Sequence, residues 1–258
     1  MAEQYSRQIT FDSIPNFRDI GGYKTRGGDT VAWRRLFRSG DLRNMTQGDF
    51  QKLEEEIRLV TVIDLRSNFE IKNQGVGLIS GTGIKYINIS LISDGGDREA
   101  NERRYRNFTN MGQFYVDLVR QKGFGKGIIE ALAVIAKPEN HPLIFHCSAG
   151  KDRTGILAAI LLSVLDVADE DIKNDYCMSA AYIETIISRM KSEPEISEDV
   201  KSLPGYFWET VPESMALLLT TLRKEYGSIN GYLESRHIEP SLIGQLESAL
   251  LISTSSKG

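Results

Sequence analysis

Apolar and polar positions along this chain follow two different periods, and the change from one to the other marks its elements. Residues 142–145 form a short apolar run without alternation, and residues 156–165 form a longer one. Length separates them: the first predicts a strand buried on both faces, the second a buried helix. Leu59-Val60-Thr61-Val62-Ile63-Asp64-Leu65 is dense in β-branched residues and also lacks alternation, as expected of a strand covered on both faces in a parallel sheet. Residues 84–91 alternate and predict another strand. Residues 31–37 are β-like, and Gly27-Gly28-Asp29 before them makes a tight turn, so a small hairpin is expected near the N-terminus.

Helical spacing predicts a helix over 47–57. Thr46 caps it, Asp49 stands three residues on in the manner of a capping box, and Phe50, Leu53 and Ile57 share one face. Helices are likewise expected over 111–120 and 126–136, separated by Gly123-Phe124-Gly125-Lys126-Gly127, whose glycine spacing is not that of a dinucleotide-binding turn. Further helical patterns run from 169 through 190, over 212–226 with Gly227 behind it, and over 241–251. The polar stretch 191–203 reads as a connection, and 167–211 as an insertion-like helical segment placed to cover a site.

Composition narrows the class. With 258 residues, 41% hydrophobic and 26% charged, the chain is long enough for one domain with appendages, here 1–258, and too balanced for disorder. A formal net charge of -4 and a pI near 5.6 argue against a nucleic-acid binder, so a phosphate site must be local. Two cysteines, Cys147 and Cys177, make no disulfide framework. Residues 1–11 show no secretory pattern, and no apolar run reaches the roughly 20 residues that span a bilayer. The expectation is a cytoplasmic protein without stable membrane insertion.

The candidate chemistry lies between the two apolar runs, in His146-Cys147-Ser148-Ala149-Gly150-Lys151-Asp152-Arg153-Thr154-Gly155. A strand must end and a helix begin within this stretch, where backbone N–H groups and the helix dipole favour an anion. Small residues after Cys147 allow the amides of Ser148, Ala149, Gly150, Lys151, Asp152 and Arg153 to converge on a tetrahedral phosphate. The Arg153 guanidinium can grip two phosphoryl oxygens, and a Cys147 thiol in this positive field is expected to ionise and attack phosphorus. His146 would orient the loop, and the Thr154 hydroxyl would hydrogen-bond the thiolate. No metal or cofactor is required. A nucleotide-binding loop would need Gly at 145 and Ser or Thr at 152, where Phe145 and Asp152 stand. A buried Cys in an ordinary turn leaves the Gly, Arg and Thr spacing unexplained. Asp64 and Arg66, at a strand's carboxyl end, read either as site residues or as an ion pair tying strand to loop. Asp94, beside Gly95 and Gly96 on a loop, is a candidate general acid, and Arg103, Arg104 and Arg106 a candidate basic rim.

His146-Cys147-x5-Arg153-Thr154-Gly155 resembles the signature of the cysteine-dependent protein tyrosine phosphatase superfamily. With Ala149-Gly150-Lys151-Asp152-Arg153 inside it, the chain is similar to the bacterial tyrosine phosphatases that also act on phosphoinositides. Asn16-Phe17-Arg18-Asp19, Leu36-Phe37-Arg38-Ser39, Asp64-Leu65-Arg66-Ser67, Tyr226-Gly227-Ser228 and Gly231-Tyr232-Leu233 extend the resemblance over nearly the whole chain. It implies an α/β fold with a central, mainly parallel sheet flanked by helices, and a helical lid after the signature helix. It also implies hydrolysis of phosphotyrosine in proteins, extending to phosphoserine or phosphothreonine in a shallow cleft. The alternatives are a phosphoinositide phosphatase, with Lys151 as a second cation, and a phosphate-binding module without catalysis. The resemblance admits two acids: Asp94, near where such enzymes carry a Trp-Pro-Asp loop, and Asp152, within the Lys-Asp-Arg triplet.

Overall fold

The structure, a computed structural model, describes residues 5–92, 106–192 and 203–253. Its strands are β1 (Arg18–Asp19), β2 (Thr30–Val31), β3 (Leu36–Ser39), β4 (Thr61–Asp64), β5 (Lys85–Asn88), β6 (Leu143–His146) and β7 (Leu251–Ile252). Five of them form one sheet in the order β1-β3-β6-β4-β5. β3, β6, β4 and β5 run parallel to one another with β6 at the centre of the sheet, and β1 closes one edge antiparallel to β3. β2 and β7 pair as a separate antiparallel ribbon.

Both faces of the sheet are covered. Leu36, Ile63, Leu143 and Phe145 point into one apolar cluster, while Phe37, Val62 and Ile144 point into the other. Each is at most 1% exposed, and burial of one such side chain contributes about 1.5–3 kcal/mol. The unalternating apolar runs of β4 and β6 are therefore two alternating faces that are both apolar.

The helices are α1 (Gln47–Lys52), α2 (Asn68–Gln74), α3 (Met111–Arg120), α4 (Lys122–Ile135), α5 (Asp152–Val164), α6 (Asp169–Cys177), α7 (Ile183–Ser192), α8 (Pro212–Tyr226), α9 (Ile229–Ser235) and α10 (Ser241–Leu250). α5 is the central one: Ile156, Leu157, Ala158, Ile160, Leu161 and Leu162 are all fully buried, as the apolar run predicts. The capping box at Thr46 and Asp49 is present, although the helix widens into a π-turn over Leu53–Ile57 and ends at Arg58 in a left-handed conformation.

Three expectations need correction. The stretch 31–37 is not one strand, because Arg34 takes φ +63° and donates its N–H to Asp19 Oδ2 at 2.7 Å, which splits β2 from β3. The hairpin survives as two backbone bonds between Tyr23 or Gly22 and Val31. The glycine-rich 123–127 segment is helical, because Gly125 and Gly127 let α4 approach the side chains of Arg236 and Leu91. The pattern from 169 to 190 breaks after Cys177 into a 3-10 turn over Met178–Tyr182 before α7 begins.

Candidate active site

The carboxyl ends of β3, β6 and β4 align, with Ser39 and Asp64 both opposite His146. The loop 147–151 leaves the sheet there, at the edge where open α/β sheets collect ligands. Cys147 sits at its base and is 2% exposed. Gly150 has φ +67°, and a Cβ at this position would lie 2.3 Å from the Ser39 carbonyl oxygen. Only glycine satisfies both the backbone angle and this approach.

The outward side of the loop is tied by its carbonyls. Asn16 Nδ2 donates to Ala149 O at 3.2 Å and Gly150 O at 3.0 Å, Arg38 Nη2 donates to Gly150 O at 2.8 Å, and the Asp41 N–H donates to Ser148 O at 3.0 Å. A peptide plane whose carbonyl is held outward turns its N–H the other way, so these bonds favour the concave arrangement of amides that binds an anion. Behind them, Asp175 on α6 accepts from Arg18 Nε at 3.0 Å, from Arg38 Nη1 at 2.5 Å and from the Tyr23 hydroxyl at 3.3 Å. Burial alone would raise the Asp175 carboxyl, but Arg18 and Arg38 hold it well below the usual carboxylate range.

Arg153, in the first turn of α5, is fixed by a carboxylate that sequence reasoning did not single out. Its Nη1 and Nη2 donate to Glu70 Oε2 and Oε1 at 2.6 and 2.8 Å, and Ser148 Oγ donates to Glu70 Oε1 at 2.6 Å. Although burial raises its proton affinity, Arg153 and Ser148 hold Glu70 well below the ordinary value. α2 carries Glu70, and a capping box builds it: Ser67 Oγ accepts from the Glu70 N–H and Glu70 Oε2 accepts from the Ser67 N–H. The spacing Ser67-x-x-Glu70 was the available signal for both helix and residue.

Asp152, also in the first turn of α5, accepts a hydrogen bond from the Tyr115 hydroxyl at 2.5 Å. Lys151 is drawn inward. Its ammonium is turned beneath the 3-10 turn Gly205–Trp208, donating to the carbonyls of Phe207 and Glu209 and lying 3.5 Å from Asp152 Oδ1. The lysine is 2% exposed, with its charge against those carbonyls and Asp152. His146 Nδ1 lies 3.2 Å from the Cys147 carbonyl oxygen and Nε2 lies 3.7 Å from Asp64 Oδ2. Thr154 Oγ1 is buried with no hydrogen-bond partner among the described residues, so the anticipated bond to Cys147 is not made.

Asp64 and Arg66 form the ion pair that was the simpler of their two readings, with Arg66 Nη2 2.7 Å from Asp64 Oδ2. Burial would raise the Asp64 carboxyl, but His146 and Arg66 bring it down to about 2. Asp94, Arg103 and Arg104 lie outside the described residues.

Comparison with known proteins agrees with this geometry. A model of a tyrosine phosphatase family matches residues 9–252. A Cupriavidus necator protein assigned the name tyrosine-protein phosphatase is 31% identical over 195 residues, covering 72% of this chain and 70% of that one. The triple specificity protein phosphatase PtpB of Mycobacterium tuberculosis is 26% identical over 270 residues, covering 92% and 96%. A tyrosine-protein phosphatase of Nostoc commune is 27% identical over 220 residues, covering 81% and 72%.

Proposed function

The chain belongs to the tyrosine phosphatase family, and we propose that it hydrolyses phosphotyrosine monoesters in proteins through a cysteinyl-phosphate intermediate formed on Cys147. One observation carries the reading: the nucleophile lies at the base of a loop whose carbonyls are held outward, with an oriented guanidinium, Arg153, beside it.

The phosphate enters the ring of amides from Ser148 to Arg153, and Arg153 stabilises the charge on its equatorial oxygens. Cys147 Sγ attacks phosphorus, the bond to the tyrosyl oxygen breaks, and Asp152 gives that oxygen a proton; Asp94 is the alternative donor. Water then attacks the cysteinyl phosphate as the carboxylate takes one of its protons, the sulfur–phosphorus bond breaks, and phosphate leaves. Such proton transfer contributes about 10²–10⁴-fold. α6, the 178–182 turn, α7 and the 205–208 turn form the lid over this site. A phosphoinositide substrate ranks second, because Lys151 is committed to the lid's carbonyls. Among the described residues no helix is long and apolar enough to cross a membrane, and the substrate proposed is a cytoplasmic phosphoprotein.

The test is release of p-nitrophenol from its phosphate under reducing conditions with EDTA present. Wild-type protein should turn over undiminished by the chelator, while Cys147→Ser should lose turnover and retain binding of the ester. Appreciable activity in Cys147→Ser would exclude the covalent route, and loss of activity with EDTA would point to a metal-dependent one.

A further inference from the structure

Asp152 stands at the end of a buried file of two phenols that the mechanism above does not use. Tyr115 on α3 is fully buried and Tyr176 on α6 is 1% exposed. Their hydroxyl oxygens are 2.8 Å apart and their rings meet edge to face with centroids 6.0 Å apart. The Tyr115 hydroxyl donates to Asp152 Oδ1.

A count of protons sets the direction of this file. A phenol has one proton to donate. Burial raises both Tyr115 and Tyr176 above their ordinary values, and the charge of Asp152 adds to this, so both remain protonated through the neutral range. The Tyr115 proton is given to Asp152, so Tyr176 must be the donor in the 2.8 Å contact. Tyr176 then has none left for the Glu209 carbonyl oxygen 3.4 Å away, and that carbonyl is instead served by Lys151 Nζ at 3.3 Å. The file runs one way, from Tyr176 to Tyr115 to Asp152. The other charged or titratable groups around it, among the described residues, are Lys151 beside Asp152 and Asp175, Arg38 and Cys177 near Tyr176.

We propose that Tyr115, backed by Tyr176, is the positioning residue of the general acid: it pins Asp152 Oδ1 so that Oδ2 is the oxygen that exchanges a proton with the ester. This rests on the reading of Asp152 as the acid. The hydrogen bond fixes the rotation of the carboxyl group, so that its other oxygen stays turned to the leaving group in the first step and to the attacking water in the second. Tyr176 strengthens the Tyr115 hydroxyl as a donor by polarising it.

The experiment compares kcat on an aryl phosphate with a good leaving group, p-nitrophenyl phosphate, and on phenyl phosphate, a poorer one. The proteins are wild type, Tyr115→Phe, Tyr176→Phe, Asp152→Asn and the Asp152→Asn/Tyr115→Phe double variant. Tyr115→Phe should slow the poor ester about tenfold and the good ester less than about twofold, within the range of a misplaced acid. Tyr176→Phe should do the same to a smaller degree, and it serves as the second variant should Tyr115→Phe fold poorly. In the Asp152→Asn background, Tyr115→Phe should add no leaving-group effect.

Equal slowing of both esters by Tyr115→Phe and Tyr176→Phe would overturn the proposal while leaving Asp152 as the acid if Asp152→Asn alone is leaving-group selective. If Asp152→Asn shows no such selectivity, the acid assignment itself fails and the proposal falls with it. A Tyr115→Phe effect that persists undiminished in Asp152→Asn would also overturn it.

Discussion

Glu70 decides where the guanidinium of Arg153 points before any phosphate arrives. Two short charge-assisted bonds join them, and Ser148 Oγ donates to the same carboxylate. Glu70→Gln keeps the shape and removes the charge, so it should lower kcat/KM on p-nitrophenyl phosphate about tenfold to a hundredfold, the equivalent of about 1.5–3 kcal/mol for bonds to charged groups. An unchanged kcat/KM would mean that Arg153 is oriented by other contacts. At this scale the sequence was legible wherever the chemistry was local. Cys147, Gly150, Asp152 and Arg153 lie within one turn of chain, and their spacing alone implied an anion site. Asn16, Arg38, Glu70 and Tyr115 were not legible as site residues, because each meets the loop from a distant segment: Asn16 binds carbonyls 133 and 134 positions away.

Among the elements, α2 is only seven residues long and depends on its cap. Ser67→Ala should cost about 1 kcal/mol and, because the same box holds Glu70, should also reduce activity, though less than Glu70→Gln does. Thermal unfolding and turnover measured on one preparation check both; a loss of stability with full activity would separate the cap from the site. α1 was readable from its capping box and α5 from its apolar run. α2 carried the same kind of box and was overlooked, since no apolar periodicity follows it. α4 was misjudged at its start for the opposite reason: glycines that break an isolated helix are here placed for close packing against Leu91 and Arg236, and tertiary contact outweighs propensity.

Across the whole molecule, the buried cluster of Arg18, Arg38 and Asp175 joins the N-terminal edge of the sheet to α6 behind the phosphate loop. Asp175→Asn leaves two buried guanidiniums short of their counter-charge and should destabilise the protein by about 3–5 kcal/mol in denaturant titration. The carboxyls of Asp64, Glu70 and Asp175 are all depressed in the folded state. Their contribution is complete above the unfolded values near pH 4 and is lost as pH falls towards about 2, where Asp64 takes up its proton. The thermal midpoint should therefore drop steeply between about pH 5 and 2, and Asp175→Asn should flatten that drop; equal slopes would remove Asp175 from the account.

The β2–β7 ribbon has a consequence for the order in which this protein can be completed. Thr30 faces Ile252, Val31 faces Leu251, and the Ala32 N–H donates to the Leu250 carbonyl. Synthesis proceeds from the N-terminus, so these backbone groups wait for partners about 220 positions further along the chain. β3 likewise waits for β6, and Asn16 and Arg38 wait for the loop whose carbonyls they hold. Closure of so long a loop follows collapse of the local helices. The phosphate loop is thus unfinished until the segments of Asn16, Arg38 and Glu70 have all met residues 147–153, and its parts become competent together rather than one by one.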